Sequence, residues 1–572
     1  MGKYGAIGIV VVILVLGGGV IWWWQQQQNP ELMEAPSAVA KGTAAESKGA
    51  DLANSVDDRE ADEKAFEAGL RSRVDGVIEG KAQERTLPTA ALPILQMRLA
   101  EGTLPAATTR SLGDALAADE VRLHNALAAR KRQAWYRKNC LDIFERNAAG
   151  KIWAAPARAT VEAAVRLWSG DYMCTEDERM IIYREAHKAV NLHCEEPLFV
   201  CAWAQNVMYY YQYAPNSQQF VERNTYAGAH WLDVDTTGYP AILKMEADLL
   251  AARGLQYNPP IPKGKKKFIQ GLVDKAKSRF GEVLADPDIS REDLMGLFDV
   301  LGETSVAVYG DRRELPNSLF NELKASSVDK STVLTIQGRF NVDYAWDARG
   351  TGFANSVTES GARLMTERLA RAATALENAW QLDSSNFHAA EAMLQVELGQ
   401  GQGRDRMELW FNRAMKANPD DYEACMNKLA YLGPNWYGSK EDMLSFGRQC
   451  VAEGNWDAGI PYILVQVHLN LARYSDGSPQ DVPLKDYYEE NPGAWDEIRS
   501  VYAEDRKHSP RSVRKELEFA RVAAWTNHWD EASQMFREAN GALDLSVSNE
   551  EEMKLIEAEV EAHRPSTRPA MF

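Results

Sequence analysis

Histidine and cysteine side chains, the usual ligands of zinc, come closest together in this sequence between residues 185 and 201. Their spacing, with two glutamates beside them, is Glu185, His187-x5-His193-Cys194, Glu195 and Cys201. Zinc sites usually place two cysteines two to four residues apart, and no second cluster in the sequence completes this set. The pattern therefore predicts a buried histidine and two packed thiols, and we expect no metal or other cofactor.

Catalytic motifs that can be identified from sequence alone are absent. The chain contains no H-E-x-x-H, no G-x-S-x-G and no P-loop lysine. A glycine-rich run, Gly399-Gln-Gly401-Gln-Gly403-Arg404, is similar to a phosphate-binding loop, but a dinucleotide fingerprint needs a preceding strand. Here the run joins two helical segments. The sequence therefore predicts that the protein is not an enzyme.

Side chains suited to peptide recognition occur near the C-terminus. Arg514, Glu518, Arg521 and Trp525 are spaced by four, three and four residues, which places them on one face of a helix. Two guanidinium groups beside an indole suit a carboxylate on an extended peptide, because each guanidinium can donate paired hydrogen bonds. This face is the candidate partner-binding groove, and an ordinary solvated helix face is the alternative.

The segments around these residues repeat at an interval of about 35 residues. Small and large apolar residues recur at fixed offsets before a polar turn, as in Leu376-x-x-Ala379, Phe411-x-x-Ala414 with Pro419, and Ala532-x-x-x-Phe536-x-x-Ala539. Alanine lets helix backbones approach closely, an aromatic residue or leucine fills the gap between hairpins, and proline ends the turn. The spacing predicts helical hairpins that bury their apolar faces against one another.

These offsets resemble the tetratricopeptide repeat (TPR). The resemblance implies an all-α fold, a helical-hairpin (TPR-like) solenoid that is partly irregular, of the membrane-anchored bacterial type. It also implies that the first helix of each hairpin lines a groove for a protein or an extended peptide. The residues that would pack the repeats are Ala379, Phe411, Ala414, Pro419, Ala532, Phe536 and Ala539. The segment from Arg473 to Pro492 departs from the regular array.

The N-terminal sequence predicts a membrane anchor. Residues 5–24 carry no charge and are mostly Ile, Val and Leu, which is about the length that a bilayer crossing needs. Lys3 precedes the span, while Glu31 and Glu34 follow it, so the positive-inside bias predicts a cytoplasmic N-terminus. The bulk of the chain would then be extracytoplasmic, attached to the inner membrane by a single pass. A signal peptide cleaved near Ala38-Val39-Ala40 is the alternative.

Composition changes along the chain predict its organisation. We expect a cytoplasmic tail (1–4), a transmembrane helix (5–24), a flexible linker (25–57), an N-terminal helical region (58–155), a degenerate helical-repeat region (156–341), a TPR-like repeat region (342–550) and a C-terminal tail (551–572). The linker is rich in Gln, Ala, Ser and Gly. Such residues bury too little apolar surface to offset the conformational entropy lost when a chain becomes ordered.

Charge and cysteine content narrow the function classes. A formal charge of −18 argues against a nucleic-acid partner, which would need a basic surface. Six cysteines are few for 572 residues, so disulfides do not hold the fold together. One bridge between Cys425 and Cys450 is feasible in an oxidising compartment, and buried thiols are the alternative.

The functional expectation is a membrane-anchored TPR-like scaffold that mediates protein–protein interaction on the extracytoplasmic side. Two alternatives stay open. The run Tyr209-Tyr210-Tyr211-x-Tyr213 could offer a stacking surface to a glycan or peptide, which would suit an envelope module that binds glycan or peptidoglycan. An envelope enzyme with an unrecognised site is the other. The turn that contains Trp436 could also carry function, and filling a gap between hairpins is its alternative role.

Overall fold

A computed structural model of the chain describes residues 106–168, 185–203, 238–256, 264–350, 354–475, 478–479, 485–508, 513–539 and 550–563. The described residues are almost entirely helical, which confirms the predicted all-α class. Their only strand pairing is a two-residue antiparallel ladder between Tyr474–Ser475 and Ser478–Pro479. No helix among the described residues is long and apolar enough to span a membrane. The predicted span at 5–24 and the linker at 25–57 lie outside them.

The helices with defined bounds are α1 (Ala106–Tyr136), α2 (Asp142–Ala148), α3 (Ala154–Trp168), α4 (Ala241–Gln256), α5 (Lys265–Ser278), α6 (Phe280–Leu284), α7 (Arg291–Tyr309), α8 (Glu314–Ala325), α9 (Lys330–Arg349), α10 (Glu359–Leu382), α11 (Phe387–Gln400), α12 (Arg404–Ala417), α13 (Tyr422–Tyr431), α14 (Lys440–Glu453), α15 (Ile463–Leu471), α16 (Lys485–Glu490), α17 (Gly493–His508), α18 (Val513–Trp525), α19 (Trp529–Ala539) and α20 (Glu550–Ala562). A π-helical segment, Arg137–Leu141, joins α1 to α2.

Local sequence explains where many of these helices begin and end. Ser290 and Asp293 form a reciprocal capping box at the start of α7. Asp421 and Ser439 accept hydrogen bonds from backbone N–H groups in the first turns of α13 and α14. Gly401 ends α11 in the left-handed conformation, which glycine adopts without strain. The glycine-rich run therefore serves as the turn between α11 and α12.

Packing along the chain follows a regular order. Within α7 to α12, each helix packs against the next, and α4, α7, α9, α11, α13 and α15 also pack against one another in succession. We call α7, α9, α11 and α13 the first-helix layer. The intervening helices α8, α10 and α12 pack against this layer, so apolar side chains of both kinds of helix meet in one interior.

Two hydrophobic clusters form that interior, and α9 contributes to both. Val333 and Ile336 belong to a cluster that extends back to Tyr136. Val342 and Trp346 belong to a second cluster that extends forward to Val560. A helix that buries apolar residues at both ends ties the two clusters together.

The chain divides into two compact units, of which one is Gln26–Ala126 and the other contains Met1–Gln25 and Leu127–Phe572. In the described part of the smaller unit, Arg122 donates a 2.9 Å hydrogen bond to Asp119. Helices α2 to α20, and with them all helix pairs of the first-helix layer, belong to the larger unit.

Candidate functional site

Polar residues recur one helical turn apart on one face of each helix in the first-helix layer. The set is Asp299 and Glu303 on α7, Arg339, Asp343 and Asp347 on α9, His388, Glu391 and Gln395 on α11, and Glu423 and Asn427 on α13. Residues spaced by three or four share a helix face, and these four helices pack in succession. We call this set the polar face. Sequence reasoning missed it, although polar residues at i and i+4 within otherwise apolar helices were the available signal.

Arginines join the carboxylates of α7 and α9. Arg312, in the turn after α7, lies 2.7 Å from Asp347 and 3.7 Å from Glu303. Its guanidinium is 4.0 Å from Asp343, while Arg339 lies 3.5 Å from Asp299. These ion pairs link α7 and the turn after it to α9, in addition to the apolar packing between the helices.

Two carboxylates of this region keep part of their surface exposed. The Asp343 side chain keeps 24% of its surface exposed, and the Asp299 side chain keeps 38%. Burial nevertheless raises the pKa of Asp299 and raises that of Asp343 to about 7. A cleft between α7 and α9, lined by both aspartates and by Phe298 and Phe340, has room for about one water molecule. The surface is therefore recessed at this point.

His388 lies between carboxylates of two helices. Its ring nitrogens are 3.5 Å from Glu292 and 3.7 Å from Glu391. Burial alone would lower the pKa of His388, but the two carboxylates outweigh it and raise the pKa. Burial would raise the pKa of Glu292, and the opposite charges of His388 and Arg132 hold it well below its usual range instead.

Several buried polar atoms on α11, on α13 and in the turn before α13 lack hydrogen-bond partners among the described residues. They include Gln395 Oε1, Asn427 Nδ2, Asp421 Oδ2 and Glu423 Oε2. Gln395, Asn427 and Asp421 are only 2%, 6% and 4% exposed as residues. A buried polar group without a partner costs about 1–3 kcal/mol, so each calls for an explanation.

Two of the candidate groove residues on α18 are buried and do not form an open surface. Glu518 and Arg521 are buried, and Tyr462 donates a 2.7 Å hydrogen bond to Glu518. The Arg521 guanidinium lies 5.0 Å from the centre of the Trp525 ring. Arg514 belongs to α18, but its side chain is outside the described set.

An inserted helix packs against one end of this face. Tyr488 of α16, itself buried, packs against Trp525 with ring centres 6.0 Å apart. This helix belongs to the segment, Arg473 to Pro492, that departs from the repeat pattern. Binding of a partner at Arg514, Glu518, Arg521 and Trp525 stays a prediction.

The residues that we expected to pack the repeats lie in or against the core. Ala379, Ala414, Ala532, Phe536 and Ala539 are buried. Phe411 is half-buried and meets Phe446 edge to face, with ring centres 5.7 Å apart. Pro419 is half-buried in the turn before α13, where its carbonyl accepts a 3.0 Å hydrogen bond from Asn455.

The side chains of the histidine and cysteine cluster lie in different environments. Cys194 and Cys201 are buried, whereas His193 is exposed in a left-handed backbone conformation. Over the described ranges, no three His, Cys, Asp or Glu side chains are placed to hold a metal ion. The same segment contains Glu196, a buried carboxylate. Glu196 accepts hydrogen bonds from Tyr239, Asn147 and the Phe199 N–H. Burial raises the pKa of Glu196.

Cys425 on α13 and Cys450 on α14 are neighbours but are not bridged. Cys425 and Cys450, like Cys140, are free and buried. A hydrogen bond with Cys450, followed by burial, raises the pKa of Cys425 well above its usual value. The Cys425 thiol is therefore protonated in the folded protein.

The tryptophan-containing turn between α13 and α14 packs against α9. Trp436 meets Trp346 edge to face with ring centres 5.8 Å apart. The Arg349 guanidinium lies 5.7 Å and 5.6 Å from the centres of the same two rings. The Tyr437 side chain lies against Gly401, so this turn also covers the glycine-rich run. Tyr209 and Tyr210 lie outside the described residues.

No protein-family model matches this chain, and a search of the curated proteins finds no match either. The paired helices are compatible with the resemblance to tetratricopeptide repeats, but membership of that family stays a prediction. The function is therefore inferred from the contacts of the chain's own residues.

Proposed function

We propose that this protein is a membrane-anchored, TPR-like scaffold that holds a segment of a partner protein on its polar face, on the extracytoplasmic side of the inner membrane. The apolar run at residues 5–24 supplies the anchor, and the repeat offsets supply the solenoid. The partner segment is an extended peptide, because such a segment can follow several hairpins in succession.

The observation that carries the proposal is the pair of buried amides on α11 and α13. Gln395 presents an acceptor and Asn427 a donor, and neither has a partner among the described residues. A peptide bond offers one N–H and one C=O, so an extended chain supplies both groups that the pair requires. The two amides lie one turn beyond Glu391 and Glu423, whose carboxylates are close enough to influence each other's ionisation.

The helices themselves explain why the amides lack partners. Residues 391–398 of α11 are all buried, so water has little access to Gln395. Apolar residues at these two positions would avoid the cost of an unpaired polar group. Their polar character is therefore best explained by a bound segment that completes the hydrogen bonds.

The test uses the full chain in its own membrane with a photo-reactive amino acid placed at Ala430. Ala430 is half-buried and lies on the same face of α13 as Glu423 and Asn427. The matched position is Leu409, which is exposed on α12 outside the polar face. We expect a discrete protein adduct from Ala430 that disappears when Gln395→Met and Asn427→Leu are introduced.

Two outcomes would contradict the scaffold. One is an adduct pattern that is the same from Ala430 and Leu409. The other is an Ala430 adduct that forms equally well after both amides are replaced.

A further inference from the structure

Two carboxyl groups beside the amides have oxygens without partners. Asp421 caps α13, with Oδ1 accepting a 2.9 Å hydrogen bond from the Ala424 N–H. Its second oxygen, Oδ2, and the Oε2 atom of Glu423 are buried and have no hydrogen-bond donor within the described ranges. Glu423 as a residue is half-buried, so the pair reaches solvent along the Glu423 side chain.

The cations nearest to this pair are already engaged. His388 lies within 3.7 Å of Glu391 and 3.5 Å of Glu292. Arg339 pairs with Asp299. No ion pair in the described part of the chain includes Asp421 or Glu423. In the described part of the chain, the site therefore has more acceptor oxygens than hydrogen-bond donors.

We propose that Asp421 and Glu423 together bind a primary ammonium group, the side chain of a lysine in the partner segment. The inference rests on the proposed function, since the segment that satisfies Gln395 and Asn427 would pass beside these acids. An ammonium group carries three donors and no acceptor, which is what two unpaired carboxylate oxygens require. It is also compact, whereas a guanidinium is planar and needs more room beside oxygens that are buried.

The ionisation of the site agrees with this assignment. Burial, followed by the charge of Glu391, raises the pKa of Asp421 to about 8 and raises that of Glu423 well above its usual value. Without a ligand, protons therefore occupy the positions that an ammonium would take at neutral pH. The charged groups facing the two acids are Glu391 and His388 on α11 and Arg339 on α9. A bound lysine would displace a proton, so its binding should strengthen between pH 7 and pH 9.

The test measures peptide binding to the full chain in detergent at about 0.1 M salt, where long-range attraction is screened. The probe is a nine-residue alternating Lys/Ala peptide blocked at both ends, and its comparison is the same peptide with every lysine acetylated. The binding-site variant is Asp421→Asn with Glu423→Gln; asparagine retains the cap of α13. The control variant, Asp405→Asn with Glu441→Gln, removes two exposed charges from α12 and α14.

We expect the lysine peptide to bind the binding-site variant roughly tenfold more weakly than it binds the parent, as for loss of a charge-assisted hydrogen bond. The control variant should bind like the parent, and the acetylated peptide should not distinguish the proteins. Equal weakening in both variants would show general attraction to an acidic protein and would overturn the ammonium site. So would equal binding of the acetylated peptide to the parent.

Different outcomes would overturn the ammonium site and the scaffold. An Ala430 adduct whose partner segment contains no lysine, and which forms equally in the Asp421→Asn, Glu423→Gln variant, would overturn the ammonium site alone. Loss of every adduct specific to Ala430 would overturn the scaffold, whatever the lysine peptide does.

Discussion

Gly338 of α9 lies directly against the side chain of Leu376 on α10. A Cβ atom at position 338 would overlap Leu376 Cγ and Cδ2. Leu376 itself is completely buried. The absence of a side chain at 338 is thus what lets the longest paired helices of the repeat region approach each other.

Gly338→Ala should lower the free energy of unfolding by roughly 1–3 kcal/mol, because the added methyl group overpacks this contact. Chemical denaturation of the full chain in detergent would measure the change. Gly271→Ala is the matched control, since Gly271 is an exposed helical glycine with open space around it. The control should be neutral or stabilising by about 0.5–1 kcal/mol, from the helix preference of alanine. A destabilisation of equal size at both positions would contradict the close contact.

Replacing the buried amides should stabilise the protein and abolish binding of the partner segment. Gln395→Met and Asn427→Leu remove polar groups that have no partner among the described residues, so each should raise the free energy of unfolding by about 1 kcal/mol. Denaturation midpoints and the Ala430 adduct would be measured on the same proteins. A loss of stability would show that the amides have partners in the folded chain and would remove the basis for peptide binding.

Asp343→Asn should change the pH dependence of stability. Burial raises the pKa of Asp343 from its ordinary value near 3.8 to about 7, so the folded chain holds this proton more tightly than the unfolded chain. The wild-type protein should therefore lose stability relative to the variant as the pH rises from about 4 to 8. The full shift corresponds to about 4 kcal/mol, and solvent screening of the partly exposed side chain reduces the expected loss to about 2 kcal/mol. Melting of the variant and of Asp405→Asn, an exposed control, would be compared at pH 5 and pH 8. A gap between variant and wild type that stays constant with pH would refute the shift.

Ala532→Trp should destabilise the α18–α19 pair by roughly 1–3 kcal/mol through overpacking. Ala532 is completely buried where the two helices meet. Ala370→Trp provides the control, because Ala370 is an exposed residue of α10. Unchanged melting of the Ala532 variant would mean that the assigned repeat register of this pair is wrong.

The membrane orientation can be tested independently of the fold. Lys3 before the apolar run and acidic residues after it predict that a reporter fused after Phe572 is active only if that reporter works outside the cytoplasm. Activity from a cytoplasmic reporter alone would overturn both the orientation and the proposed location.

Local features of this protein could be predicted from sequence because neighbouring residues determine them. Helical periodicity, the caps at Asp421 and Ser439 and the glycine that ends α11 each depend on a few consecutive residues. The small residues at Ala379 and Ala414 likewise identify where helices approach one another.

The candidate site required the tertiary structure because its parts come from different helices. Glu391 and Glu423 are 32 positions apart in the sequence, and only the packing of α11 against α13 brings their charges together. Tyr488, from an insertion whose path the repeat pattern does not specify, packs against Trp525 on the helix that carries the buried Arg521. The sequence alone determined the helices and the residues that pack them, because both depend on short-range spacing. Tertiary packing decided which polar groups meet and which lack partners, because desolvation depends on every helix that surrounds them.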